Sequence, residues 1–217
     1  MKPSGRGNGI EDILDLILST FGMNLPETHY GDVTAFVRKR MEERGENITR
    51  YIQALSGDRD EYVRFIDAIT INESYFFRDG RHFSLFYNEI LLQLFEEREH
   101  VKIWSAAAAA GEEALSLAAL CNNVIASYPD RTYSIYASDI NAAALGKMRK
   151  GTYTRSAFRE DGAEMHSFLR PYITEKNGFL NAEEAIRERI IVEEHNLFHD
   201  DYSAFPDDFD LVLLRNV

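Results

Sequence analysis

Val101-Lys102-Ile103-Trp104-Ser105, then Ala106-Ala107-Ala108-Ala109-Ala110-Gly111-Glu112-Glu113, and, after a helical stretch, Tyr133-Ser134-Ile135-Tyr136-Ala137-Ser138-Asp139 decide the fold. A short apolar run gives way to a turn of small residues and a helix predicted over Glu112–Tyr128, and a second run of strand character follows. Strand–helix–strand order implies parallel pairing with right-handed crossovers. Working outward, Asn141–Lys150 reads as helix, and Ile190–Glu194 and Phe209–Leu214 as strands. The expected architecture is α/β, a doubly wound sheet.

Two irregularities stand out. About fifty residues separate the second and third strands, more than one crossover helix needs, so a subdomain is expected between Gly151 and Arg189. The sequence also stops at Val217, just past its fourth strand, which leaves half of a doubly wound sheet unbuilt; the natural protein is expected to continue.

Upstream, the period is helical. Ile10, Ile13, Leu14, Ile17, Leu18 and Phe21 share one face, with Gly22 as the stop. A second helix is predicted to start near Gly31 or Asp32, to present Val33, Phe36, Val37 and Met41, and to end at Gly45. Shorter ones follow at Ile48–Leu55 and Arg59–Ile69. Helices this short are marginal alone, so residues 10–69 are expected to form a small bundle. The implied domains are 1–70, helical, and 71–217, α/β, the latter opening with an amphipathic helix over Asp79–Glu97.

Composition narrows the function classes. The 217 residues carry 24 Lys+Arg against 36 Asp+Glu, a formal net charge of -12, which argues against a protein built to grip nucleic acid. Hydrophobic residues make up 45% and charged residues 28%, an ordinary globular balance. A single cysteine, Cys121, excludes an intrachain disulfide framework and a multi-cysteine metal site. Set among Leu117, Ala118 and Leu120, it reads as core. No run approaches the roughly 20 apolar residues of a membrane span. The expected setting is cytoplasmic, without membrane insertion, and as a monomer by default.

The first βα turn is where a sheet of this kind binds its ligand. A pyrophosphate turn wants several glycines and a helix start free of negative charge. Here there is one glycine, and Glu112 and Glu113 stand at the helix start. They suit a ligand without phosphates and with positive charge, as S-adenosylmethionine has; ordinary first-turn acids are the alternative. Asp139, ending the second strand, can accept hydrogen bonds from both hydroxyls of a ribose, or else cap the next helix. His195 and His199, four apart, lack the further ligands that a metal needs, and no metal site is expected. Arg38-Lys39-Arg40 reads as a solvated helix face that could meet an acidic partner.

The segment Thr70-Ile71-Asn72-Glu73-Ser74-Tyr75-Phe76-Phe77-Arg78-Asp79 interleaves hydrogen-bonding side chains with aromatics at the joint between the two domains. An aromatic linker would explain Tyr75, Phe76 and Phe77 but not Asn72, Ser74 and Arg78.

With these residues the sequence resembles the CheR family, the chemotaxis receptor glutamate O-methyltransferases. Thr70, Asn72, Ser74, Phe76, Phe77 and Arg78 fall in the register of the family's first motif, with His82 and Phe83 just downstream. Trp104, Ser105, Ala106, Ala107, Gly111, Glu112 and Glu113 match its turn; Ala137-Ser138-Asp139-Ile140, Asn196-Leu197 and Arg215-Asn216-Val217 match the three later strand ends. The sequence departs from the family pattern at Ala109 and Ala110, where small hydroxyl residues are usual, and at Ala114-Leu115, in place of Pro-Tyr.

The resemblance implies a Rossmann-like, S-adenosylmethionine-dependent methyltransferase domain that esterifies glutamate side chains of a methyl-accepting receptor's cytoplasmic domain and leaves S-adenosylhomocysteine. It implies that Asn72, Ser74, Arg78, Glu113, Asp139, Asn196, Leu197, Arg215 and Asn216 line the cofactor site. It also implies that residues 151–189 form the family's inserted β-subdomain, and that the helical domain, with Arg38–Arg40, faces the receptor. A substrate glutamate with a pKa of about 4.3 is ionised at neutral pH, so no general base is required and no catalytic residue is assigned. A family member serving as a cofactor-sensing or receptor-docking module without catalysis is the alternative reading.

Overall fold

A computed structural model describes residues 10–198 and 201–216. They divide into two compact units: residues up to Ile71 with the described part of the 196–201 loop, and Asn72–His195 with Tyr202 onward.

The first unit holds α1 (Ile10–Phe21), α2 (Glu27–Arg44), α3 (Ile48–Gly57) and α4 (Arg59–Ile69). Ile13, Ile17, Val33, Tyr51, Phe65, Ile66 and Ile69 form its core. Leu18, expected on the buried face of α1, is 53% exposed. α2 starts at Glu27, before the predicted Gly31, because Pro26 at φ -68° pre-sets the entry. Only Val33 and Val37 of its four expected apolar positions are fully buried. Gly45, at φ 64°, closes the helix with its N–H on the Glu42 and Met41 carbonyls. Asn47 and Asp58 cap α3 and α4 by accepting from the N–H groups of Arg50 and Glu61.

The basic run is not uniformly solvated. Arg38 and Lys39 are exposed, whereas Arg40 turns inward and donates through Nε to Glu61 Oε1 at 2.9 Å. Glu61 has no exposed side-chain surface and also accepts from the Tyr51 hydroxyl at 2.9 Å. A buried carboxylate is tolerable only with such partners, and the Arg40 hydrogen bond, with Tyr51 and Arg44 assisting, holds its carboxyl below the usual range.

In the second unit a continuous helical stretch comprises α5 (Gly80–Leu85), a wider turn of π type over Phe86–Leu91, and α6 (Leu92–Glu97). β1 (His100–Ala106), α7 (Glu112–Ile125), β2 (Thr132–Asp139) and α8 (Ala142–Lys150) follow, and β6 (Ile190–Glu194) and β7 (Leu211–Leu214) complete a four-stranded sheet. Its order is β6-β2-β1-β7 and every pairing is parallel, so the Rossmann-like α/β expectation holds. Residues Ala114–Cys121 of α7 are all buried; a helix covered on all sides shows little amphipathic signal. Cys121 is fully buried there.

Between α8 and β6, the inserted stretch carries β3 (Thr152–Tyr153), α9 (His166–Leu169), β4 (Ile173–Lys176), β5 (Phe179–Ala182) and α10 (Glu184–Arg187). β3, β5 and β4 form a small antiparallel sheet in that order. The β4–β5 hairpin turns on Asn177 and Gly178, both at positive φ (55° and 79°), the backbone that an Asn-Gly pair favours.

Candidate cofactor site

The turn after β1 is held by the tip of β2. Ala108 N–H donates to the Ser138 carbonyl at 2.8 Å and Gly111 N–H to the Ala108 carbonyl at 2.9 Å. Ala109 N–H donates to Asp139 Oδ2 at 2.8 Å, while the other carboxylate oxygen accepts from Asn141 N–H at 2.8 Å. Asp139 is therefore fixed in orientation, with a backbone donor on each oxygen. The cap of α8 is Asn141, whose side chain accepts from Ala144 N–H. Burial raises the Asp139 carboxyl above its ordinary range, against the hydrogen bonds from Asn141, Ala109 and Ile140.

The alanine run has a backbone reason. Ala107 (φ 59°) and Ala109 (φ 49°) are left-handed, as is Gly111 (φ 90°). A non-glycine residue there costs about 1–2 kcal/mol, and a small side chain keeps that cost low. Gly111 is required twice over: a Cβ would lie 2.4 Å from Met148 Cγ of α8. Phe77 (φ 54°), Asp79 (φ 58°) and Asn216 (φ 56°) share this backbone. Such strained backbone is common at functional sites.

The two glutamates differ. Glu113 Oε1 accepts from the Ser105 hydroxyl at 2.7 Å and Oε2 from Arg215 Nη1 at 2.9 Å, so its charge is already matched. That revises the expectation that both acids offer free negative charge to a ligand. Burial still pushes its carboxyl up, against Ser105 and Arg215. Glu112 is 6% exposed. Its Oε2 has no hydrogen-bond partner among the described residues, and burial raises its carboxyl against a hydrogen bond from Ser74.

Arg215 Nη2 also donates to the Arg78 carbonyl and to Asp79 Oδ2, both at 2.8 Å, and its guanidinium lies 5.2 Å from the Phe83 ring centroid. It thus ties the end of β7 to the start of α7 and to the 78–79 turn. Arg78 Nη1 donates to the Glu73 carbonyl at 2.6 Å.

The aromatic segment is no linker. Phe76 and Phe77 are fully buried in the core of the second unit, where Phe77 N–H donates to the Ser116 hydroxyl at 3.0 Å. Phe76 N–H donates to the Ala157 carbonyl at 2.8 Å, and Tyr75 and Asp79 both donate to Asp161 Oδ2, fastening the segment to the insertion.

Of the nine expected cofactor residues, Ser74, Arg78, Glu113, Asp139 and Arg215 are thus joined, directly or through their neighbours, in one network. Asn72 and Asn216 belong to the same unit, and Asn216 is exposed. Asn196 and Leu197 belong to the helical unit, where Asn196 Nδ2 donates to the Thr20 carbonyl at 3.0 Å. His195 packs at 4.8 Å against the rings of Tyr202 and Phe205. His199, Asp200 and Val217 lie outside the described residues. Ser105 was legible only as a member of the quoted turn, and Ser116 and Tyr153 carried no local signal of their contacts.

A parallel sheet of order 3-2-1-4, whose first turn is clasped by an acid at the end of the second strand, defines an adenosine-binding α/β domain. The chain belongs to the CheR methyltransferase family: residues 72–217 match its SAM-binding domain. A chemotaxis protein methyltransferase of Borreliella burgdorferi is 26% identical over 216 residues, covering 94% of this chain and 75% of the relative. That of Salmonella typhimurium is 27% identical over 211 residues, covering 94% and 70%. Chemotaxis protein methyltransferase 2 of Pseudomonas aeruginosa is 32% identical over 174 residues, covering 79% and 60%.

The residues fit S-adenosylmethionine. Asp139 offers two oriented acceptors, the turn has no side chain larger than methyl to obstruct approach, and the orphaned Glu112 Oε2 favours a donor-bearing, cationic ligand over a phosphate.

Proposed function

We propose that the protein methylates glutamate side chains in the cytoplasmic domain of a chemoreceptor, using S-adenosylmethionine. The observation that carries the reading is the Asp139 carboxylate, held by Ala109 and Asn141 at the mouth of the turn, in a chain of this family. When bound, S-adenosylmethionine supplies a methyl group that a carboxylate oxygen accepts with no proton transferred.

The chain's own residues bind and orient. Asp139 accepts the ribose hydroxyls; the turn from Ala107 to Gly111 lies against the nucleoside; Glu113, already paired, keeps Arg215 and through it the 78–79 turn in place. Asn72, Ser74 and Asn216 complete the lining, and Arg78 orients the cofactor or the incoming carboxylate. Alignment and exclusion of water then account for the rate.

In this reading residues 1–70 are a helical domain that meets the receptor, presenting the exposed Arg38 and Lys39 to an acidic methylation region. Residues 71–217 are the methyltransferase domain, with 151–189 as its inserted subdomain. The protein works in the cytoplasm as a monomer; no helix among the described residues is long and apolar enough to cross a membrane. No observation favours a docking module without catalysis.

The test is transfer of radiolabelled methyl to receptor-containing membranes. Base-labile label is expected, with Arg78→Ala lowering the rate at least tenfold, a loss of about 1.4 kcal/mol in transition-state stabilisation. Label that resists base refutes a carboxyl ester, and unchanged turnover in Arg78→Ala refutes that residue's role.

A further inference from the structure

We infer that Tyr153, the second residue of the inserted sheet, is a positioning residue for the cofactor turn, so that the insertion is built into cofactor binding as well as attached beside it. The inference rests on reading that turn as the cofactor site.

Tyr153 is 5% exposed. Its hydroxyl donates to the Ala110 carbonyl at 2.8 Å, between left-handed Ala109 and Gly111. Its ring meets Phe76 edge-on at 5.0 Å. One side chain therefore touches both the turn and the segment that carries Ser74 and Arg78. Its backbone, in turn, is fixed in the small sheet by pairing with Leu180 of β5.

The chemistry favours a lasting donor. Burial, and then the neighbouring Glu112, raise the phenol well above its ordinary value, so the hydroxyl keeps its proton throughout the physiological range. Among the described residues, the Ala110 carbonyl is the one acceptor in the turn's strained half that a side chain secures. Without that bond, a turn whose own backbone preferences oppose its shape has one fewer restraint, and Ala109 N–H presents Asp139 less firmly.

The experiment uses the whole chain and two conservative variants, Tyr153→Phe and Tyr133→Phe. Tyr133 is an equally buried phenol, 2% exposed, but its hydroxyl donates to Asn122 Oδ1 at 2.8 Å, in the C-terminal half of α7. Titration with S-adenosylhomocysteine is expected to give about five- to tenfold weaker binding for Tyr153→Phe, the size of one net hydrogen bond, and a Kd within about twofold of wild type for Tyr133→Phe. Both should lose thermal stability, so the Kd separates positioning from mere packing. Amide exchange at Ala109 and Gly111 should quicken in Tyr153→Phe alone. If Tyr153→Phe melts too readily for titration, the upward shift in its melting temperature at saturating ligand should be smaller than that of Tyr133→Phe. Equal affinity for Tyr153→Phe and wild type, or equal weakening in both variants, overturns the inference. Failure of the wild type to bind would instead refute the cofactor reading, and the exchange rates would still decide whether Tyr153 holds the turn.

Discussion

Replacing Asp139 with asparagine tests the acid proposed to hold the ribose. Each carboxylate oxygen now holds one backbone N–H at 2.8 Å, from Ala109 and Asn141. In Asp139→Asn one oxygen becomes an NH2 that opposes one of those donors, and on the proposed reading one ribose hydroxyl loses a charged acceptor. A hydrogen bond to a charged group contributes about 1.5–3 kcal/mol, and 1.4 kcal/mol is a factor of ten. The Kd for S-adenosylhomocysteine by calorimetry should therefore rise about 10- to 150-fold. A pH series supplies the second half. Because burial holds this carboxyl above its ordinary 3.8, wild-type affinity should fall on acidification sooner than an unperturbed aspartate would dictate, and the variant should lack that component. The sign for folding is opposite. The folded state takes up this proton more readily than the unfolded chain, so this residue's contribution to stability falls as pH rises through the interval between 3.8 and the raised value. Acid loss of binding by this route is thus not acid unfolding. A Kd within threefold of wild type, or the same pH profile in both proteins, would refute the assignment.

Two further perturbations test the framework around the site. Glu61→Gln should destabilise the protein by about 3 kcal/mol in urea titration, because it leaves Arg40 without its buried counter-charge. Since the Glu61 carboxyl is depressed below 4.5, the stability it contributes is present above that value and lost as pH falls through the folded-state value, and the variant should lack that loss. Gly111→Ala should cost about 2–5 kcal/mol in thermal melts: about 1–2 for left-handed backbone and about 1–3 for overpacking against Met148. A change below about 0.5 kcal/mol would mean that the turn relaxes freely.

The sheet was legible because its strands are compact apolar runs separated by turn and helix signals. β6 fell where Ile190–Glu194 was read, and the α4 bounds matched too. The place of Asp139, at the end of the second strand, was legible from the strand pattern alone. The start of α2 was missed because its first turn, residues 27–30, carries no apolar periodicity, whereas Pro26 is the helix entry. The β4–β5 hairpin carried a readable Asn177-Gly178 signal that went unused. The partnerships of Glu113 were not legible, since its counter-ion Arg215 lies 102 residues away and no local pattern encodes such a pair. Nor was Tyr153, whose hydroxyl spans 43 residues to reach Ala110. Arg40 looked solvated because a basic run says nothing of a buried acid on another helix.

The guanidinium of Arg215 joins residues 102, 136 and 137 positions earlier in the chain, and β7 is the strand that flanks β1. Contacts of such sequence separation form slowly, because the entropy of closing the intervening loop precedes any reward. The bundle of α1–α4, by contrast, is secured by pairings such as Tyr51 with Glu61, 10 residues apart. In a chain made from its N-terminus, the pairings among α1–α4 can therefore form while the turn after β1 still lacks its last tether, which arrives only with the synthesis and docking of β7.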